Sequence, residues 1–206
     1  MEDGSIVIPF FALGANILPG EPLPLHIFEP QYKKMLEYCL GDNEHGRPLP
    51  FGLSLSRPRV IEPIGCSVQV ASVLQKYQDG RSMILTMGEH RFRLLETNWG
   101  GDFPKARIRF IEDLDEPVNS DLRAEVVELF CEAIRVNLIS ESGPECTSEY
   151  ISYKLAARVN LEQAERQDLL NQPSEQARLE RLASYLKFQL TTAKYAMPHR
   201  MLSFIQ

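Results

Sequence analysis

The chain has 206 residues, enough for one large domain or two small ones around a shared core. Its 44% hydrophobic and 24% charged residues place it among ordinary globular chains, and a formal net charge of −6 weighs against a general nucleic-acid binder. No stretch is apolar over the length a membrane helix needs, and the start, Met1-Glu2-Asp3-Gly4-Ser5, is acidic where a secretory signal is basic and then apolar, so the expected location is the cytoplasm.

The first half reads as β. Val7-Ile8-Pro9-Phe10-Phe11 is a short apolar run punctuated by Gly14, Pro19 and Gly20. Leu23 to Phe28 is a second run carrying Pro22 and Pro24 at its start, and prolines cannot donate to a ladder, so it belongs at an edge or a barrel rim. Pro30 opens a helix through Leu40, since a first helical turn needs no N–H from its first residue. Tyr32, Met35, Leu36 and Cys39 give that helix an apolar stripe, and Gly41 stops it. Phe51 to Leu55 is the next strand. Cys66 to Lys76 and Ser82 to Met87 flank Asp79-Gly80, a hairpin signal, and Arg91 to Leu95 continues the sheet. Ala106, Ile108 and Phe110 alternate with Lys105, Arg107 and Arg109 as a half-buried strand does. Short strands at this spacing predict a closed or nearly closed antiparallel barrel.

The pattern changes at Glu112-Asp113-Leu114-Asp115-Glu116-Pro117. Leu122, Val126, Leu129, Phe130 and Ala133 then recur at helical spacing. Gly143-Pro144 breaks the chain, and Thr147 is the expected cap of a second helix through about Arg158. Asn160 is the expected cap of a third, with Gln163 reaching back, ending before Pro173. Ser174 caps a last long helix with Leu179, Leu182, Ala183, Leu186 and Leu190 on its buried face. The expected organisation is α+β: a barrel over residues 1–115 with one inserted helix, then a small helical bundle over residues 116–206, together one domain.

Catalytic and metal chemistry find little footing. Cys39, Cys66, Cys131 and Cys146 form no Cys-x-x-Cys pair, and His26, His45, His90 and His199 are scattered, so no metal and no cofactor is expected. Gly41 and Gly46 have the spacing of a phosphate-binding loop, but Arg47 and Pro48 stand where Lys and Ser or Thr are needed. Ser152 and Lys154 are two apart, which on a helix turns them to different sides.

Several segments taken together resemble the LON domain, the substrate-binding part of ATP-dependent Lon proteases. They are Ile8-Pro9-Phe10-Phe11 with Leu18-Pro19-Gly20, the run Leu23-Pro24-Leu25-His26-Ile27-Phe28-Glu29-Pro30-Gln31-Tyr32, Phe51-Gly52-Leu53, Ile64-Gly65-Cys66, Asp79-Gly80-Arg81 and Gly88-Glu89-His90-Arg91-Phe92-Arg93-Leu94-Leu95. Gln167-Asp168-Leu169-Leu170, Pro173-Ser174 and Arg178-Leu179 are similar to the helical end of that domain. The resemblance implies a PUA-like β-barrel followed by a helical bundle, and a non-catalytic module. Its expected partners are unfolded or partner polypeptide and a separate ATP-dependent protease, with neither nucleic acid nor membrane among them. An adaptor role in protein quality control follows as an expectation.

Two candidate surfaces emerge. For polypeptide, the expected site is Leu25, Phe28, Glu29 and Tyr32, with Trp99 in the loop Asn98-Trp99-Gly100-Gly101 as a further contact. Phe28 and Tyr32 lie four apart and could share an exposed face; the plainer reading is that both seal the helix onto the barrel. The second is an anion-binding strip of Arg91, Arg93, Arg107 and Arg109, which would make the chain an RNA-binding barrel protein instead. Against the strip stands a solvated sheet face whose arginines pair with Glu89 and Glu96.

Overall fold

The computed structural model describes residues 4–41, 48–139 and 151–202, apart from the side chains of 196–202. It divides into two compact units, Met1–Glu112 and Asp113–Gln206.

The first unit contains strands β1 (Ile6–Leu13), β2 (Pro22–Ile27), β3 (Phe51–Arg57), β4 (Val60–Ile61), β5 (Ile64–Lys76), β6 (Ser82–Asn98) and β7 (Lys105–Phe110), with helix α1 (Pro30–Leu40) between β2 and β3. The pairings β1-β7, β7-β6, β6-β5, β5-β3 and β3-β1 close into a circuit, so the barrel is complete. The expected antiparallel barrel needs one correction, because β1 and β3 run parallel, with Phe10 beside Gly52 and Leu13 beside Leu55. The cause is connectivity. A tight turn can join antiparallel strands only, and the excursion through β2 and α1 supplies the crossover that parallel neighbours require.

A second correction concerns β6. The segments around Ser82–Met87 and Arg91–Leu95 are one 17-residue strand, which passes through Gly88 without a break. Gly88 donates to Glu21 O and accepts from Gly20 N at 2.9 and 2.8 Å, so the chain before β2 crosses β6 here. A β-carbon on Gly88 would lie 2.2 Å from the Leu18 carbonyl oxygen, and only glycine admits that approach. The hairpin between β5 and β6 turns with Gly80 at φ +79°, the left-handed conformation that suits glycine. The two-residue β4 follows Arg59 at φ +69° and is too short to leave a periodic signal.

β2 pairs with β6 alone among the described strands. Pro22 and Pro24 thus sit on an edge strand, where a missing donor does least harm, and they blunt that edge against casual strand addition. All four stripe residues of α1, Tyr32, Met35, Leu36 and Cys39, are buried in a cluster with Phe11, Leu25, Ile27, Phe51, Leu53, Val68 and Ile84. Ile8, Phe10, Phe92, Ala106 and Ile108 form a second cluster.

Residues 111–119 carry neither strand nor helix. The second unit comprises α2 (Ser120–Arg135), α3 (Ser152–Ala156), α4 (Gln163–Asn171) and α5 (Glu175–Leu202). Asn119 caps α2, its side chain accepting from the Asp121 and Leu122 amides. Two ion pairs, Glu125–Lys187 and Glu132–Lys194, join α2 to α5. Each is offset by seven residues in the same sense on both helices, so the pair runs parallel. The expected cap Thr147, the breaker Gly143-Pro144 and the loop 42–47 lie outside the described residues; the described helix after them ends at Ala156, short of Arg158. α4 also starts later than Asn160 suggests. Leu161 is buried and its amide is held by Val159 O, so the cap falls on Glu162, whose amide is met by Glu165 Oε2 at 2.8 Å. Ser174 caps α5 as expected, accepting from Ala177 N.

One feature of this unit leaves no pattern in the sequence. Arg178 is 1% exposed, and its charge is met by two carboxylates. Its guanidinium donates to both carboxylate oxygens of Asp113, to Glu175 Oε2 and to Ser152 Oγ, and it lies over the Tyr153 ring. Glu175 in turn accepts from the Ile151 and Ser152 amides, ordering the start of α3.

Two predictions test this description. Gly88→Ala is expected to destabilise by about 3 kcal/mol, because the opposing atom is backbone and cannot rotate away, whereas Gly14→Ala, with nothing within 4 Å of the new methyl, should stay within about 0.5 kcal/mol. Chemical denaturation of the two variants checks this; equal midpoints would refute the crossing at Gly88. Burial pushes the Cys39 and Cys66 thiols up to about 12, so at pH 8 only about one part in ten thousand is thiolate. Iodoacetamide mass-mapping of the native protein should leave both unmodified until denaturant is added.

Candidate functional site

The alternation of a β-strand sends successive side chains to opposite faces, and the register of β2 on β6 sorts them cleanly. Leu23, Leu25 and Ile27 lie opposite Thr86, Ile84 and Ser82, and of these all but the half-buried Leu23 are buried. Pro22, Pro24 and His26 lie opposite Met87, Leu85 and Met83 on the other face, where nothing buries them fully. The second set is therefore an apolar strip two strands wide, open to solvent. β5 flanks it with Gln69, Ser72 and Gln75, a polar margin in the same register.

Beyond the end of β2 the strip gains aromatic rings. Phe28 is 56% exposed. The His26 ring sits 5.6 Å from Phe28 and 6.2 Å from Tyr77, and Arg81 covers Tyr77 at 5.1 Å. Methionines beside aromatics and prolines make a surface that repacks against differing apolar shapes at little cost, because the thioether is unbranched and polarisable. Among the described residues no group of three His, Cys, Asp or Glu side chains could hold a metal ion.

The residues singled out from the sequence divide. Phe28 and Tyr32 do not form an exposed pair. Tyr32 is 6% exposed, its ring 4.0 Å from Phe11, and burial raises its hydroxyl pKa, with Glu29 adding to the shift. It belongs to the core, as does Leu25, whose position in β2 points it inward. The helix starts at Pro30, so Phe28 stays outside it and the four-residue spacing carries no helical meaning. Glu29 is exposed and accepts from Gln31 Nε2 while its carbonyl receives the Tyr32 and Lys33 amides. Trp99 is half exposed, its indole donating to Thr97 Oγ1 and its ring edge-on to Phe10 at 6.2 Å, contacts that hold it against β6 and β1.

The arginine strip does not form as expected. Arg91 is buried, at 4% exposed, and Arg107 is paired with Glu96 at 2.8 Å. Arg93 and Arg109 remain exposed and directly opposite each other across β6 and β7.

Pro22, Pro24, Met83, Leu85 and Met87 carry the strip and were not singled out. Their signal was present: Met83-Ile84-Leu85-Thr86-Met87 is apolar at odd positions as well as at Ile84, and a strand apolar on both faces must expose one of them or cover it.

Comparison with known proteins agrees with this architecture. The solved structure described as "Lon N-terminal domain protein from Xanthomonas campestris" matches with a TM-score of 0.68 at 22% identity, over 87% of this chain and 98% of its own. The N-terminal domain of a Mycobacterium avium complex Lon protease matches with a TM-score of 0.65 at 15% identity, over 88% of this chain and 98% of its own. At those identities the likeness speaks for the fold. A family model described as "ATP-dependent protease La (LON) substrate-binding domain" matches residues 7–187, from the first strand well into the last helix, and the chain accordingly belongs to the LON substrate-binding domain family.

Proposed function

We propose that this chain is a non-catalytic module that holds polypeptide on the outer face of β2 and β6. The observation that carries the reading is the register of Pro22, Pro24 and His26 against Met87, Leu85 and Met83, an apolar strip kept open on a sheet whose other face is core. Unfolded chains present apolar side chains that folded ones hide, and a strip of this kind receives them without demanding one sequence. Family membership supports the same reading, since the matched model describes a substrate-binding domain and no catalytic one. The role we assign is that of an adaptor in protein quality control, working beside a separate ATP-dependent protease, in the cytoplasm.

The RNA-binding alternative has less to stand on. Of its four arginines Arg91 is buried, Arg107 pairs with Glu96, and Arg93 and Arg109 lie opposite each other, in a chain of net charge −6.

Fluorescence anisotropy with labelled unfolded casein distinguishes the two. The double variant Phe28→Asp with Met87→Asp changes two exposed side chains, so the fold is expected to survive, and affinity should fall about thirtyfold or more, because each lost apolar contact is worth on the order of 1–2 kcal/mol. Arg93→Glu with Arg109→Glu should change it little, and added salt should not weaken it. Tyr32→Ala should lower stability instead of affinity. Tight RNA binding with a steep salt dependence, together with no affinity for casein, would overturn the proposal. The purified chain should neither hydrolyse ATP nor degrade casein.

A further inference from the structure

On the face opposite the strip, α1 and the end of the β5–β6 hairpin enclose a groove of about 470 Å³. That is within the size range of sites that take small ligands and chain ends. Its walls are Leu36 and Leu40 from α1 and Val73 from β5, and both Leu40 and Val73 are left exposed where the helix and the hairpin meet.

The groove has a polarity set by the register. Lys76 pairs with Ser82 in the last rung of the hairpin, and Lys33 donates to Asp79 O in the turn beyond, so both ammonium groups gather at the hairpin end. The Asp79 carboxylate in the turn is held mainly by the Arg81 amide and side chain, which keep its pKa down, with the Lys33 charge adding to the shift. Lys76 has no ion-pair partner among the described residues. Glu37, one helical turn beyond Lys33, marks the other end with Leu40 and Val73.

Ser82 supplies a second, independent sign. It is 4% exposed, it lies in the β6 register that faces α1 with Ile84, and it lines the groove. Its hydroxyl therefore stands at the groove wall, placed to donate to a group that enters.

We infer that this groove takes the carboxyl terminus of a polypeptide. The terminal apolar side chain packs against Leu36, Leu40 and Val73. The carboxylate accepts from Ser82 Oγ and from the Lys33 and Lys76 ammonium groups, and Glu37 accepts a backbone N–H from the preceding residues. The inference rests on the reading of the chain as a polypeptide-binding module, and adds a recognised chemistry, a free carboxyl end with an apolar last residue, at a site apart from the strip.

The test compares two fluorescein-labelled peptides, a glycine–serine repeat ending in three leucines as the free acid and the same peptide as the C-terminal amide. The acid is expected to bind about tenfold tighter than the amide to the native protein, because the amide forfeits the charge-assisted hydrogen bonds. Lys76→Glu should erase the difference, and Val73→Asp should abolish binding of both; each replaces an exposed side chain. Phe28→Asp with Met87→Asp should leave the preference for the acid intact. Equal binding of acid and amide, or no binding of either, would overturn the inference. If casein still binds through the strip in that event, the proposed function stands without the groove; if the acid binds and casein does not, the groove stands and the strip falls.

Discussion

β6 is the strand on which the first unit depends. It pairs with β5 along most of its length, while on its other side it is shared between β2 in its first third and β7 in its second half. The change of partner occurs at Gly88, where the backbone of Leu18 to Glu21 crosses. A side chain at that point would force the two backbones apart, and β2 could no longer enter the sheet in register. The register in turn decides which side chains face α1 and which face water. A slip of one residue would turn Met83, Leu85 and Met87 into the core and Ile84 out of it, and the strip would vanish with the hydrophobic cluster. Fold and binding face are therefore set by one alignment.

Much of this was legible in the sequence. Pro30 and the stripe from Tyr32 to Cys39 specified α1 nearly to the residue, because a proline start and a helical period are local signals. The alternation in β7 and the Asp79-Gly80 turn were equally local. What was missed depends on distant partners. The parallel pairing of β1 with β3 follows from the whole path of the chain between them, and no residue in either strand encodes it. The exposed aromatic pair failed for a local reason, since the helix begins at Pro30 and leaves Phe28 on extended chain while Tyr32 turns inward. The four arginines failed because alternation alone does not say which side chains a neighbouring element covers or pairs, and Arg91 is buried while Arg107 pairs with Glu96.

The second unit rests on a different kind of interaction. Arg178 is buried among Asp113, Glu175, Ser152 and Tyr153, with donors and acceptors matched. Such a cluster contributes less net stability than an apolar core of the same volume, but losing one partner costs about 3–5 kcal/mol because it strands a charge out of water. The arrangement thus ties three stretches distant in sequence, at residues 113, 152 and 175–178, to one geometry. Carboxylates that looked like solvated helix faces and linker in the sequence include these two structural ones, and only the fold separates them.

The central claim is that unfolded polypeptide lies on the strip formed by Pro22, Pro24 and His26 with Met83, Leu85 and Met87. The most direct test is methyl NMR of protein labelled at methionine, titrated with unfolded casein. The account predicts that the Met83 and Met87 methyl signals shift and broaden while that of Met35, on the buried face of α1, stays in place. A complex that forms with the Met83 and Met87 signals unmoved would contradict it.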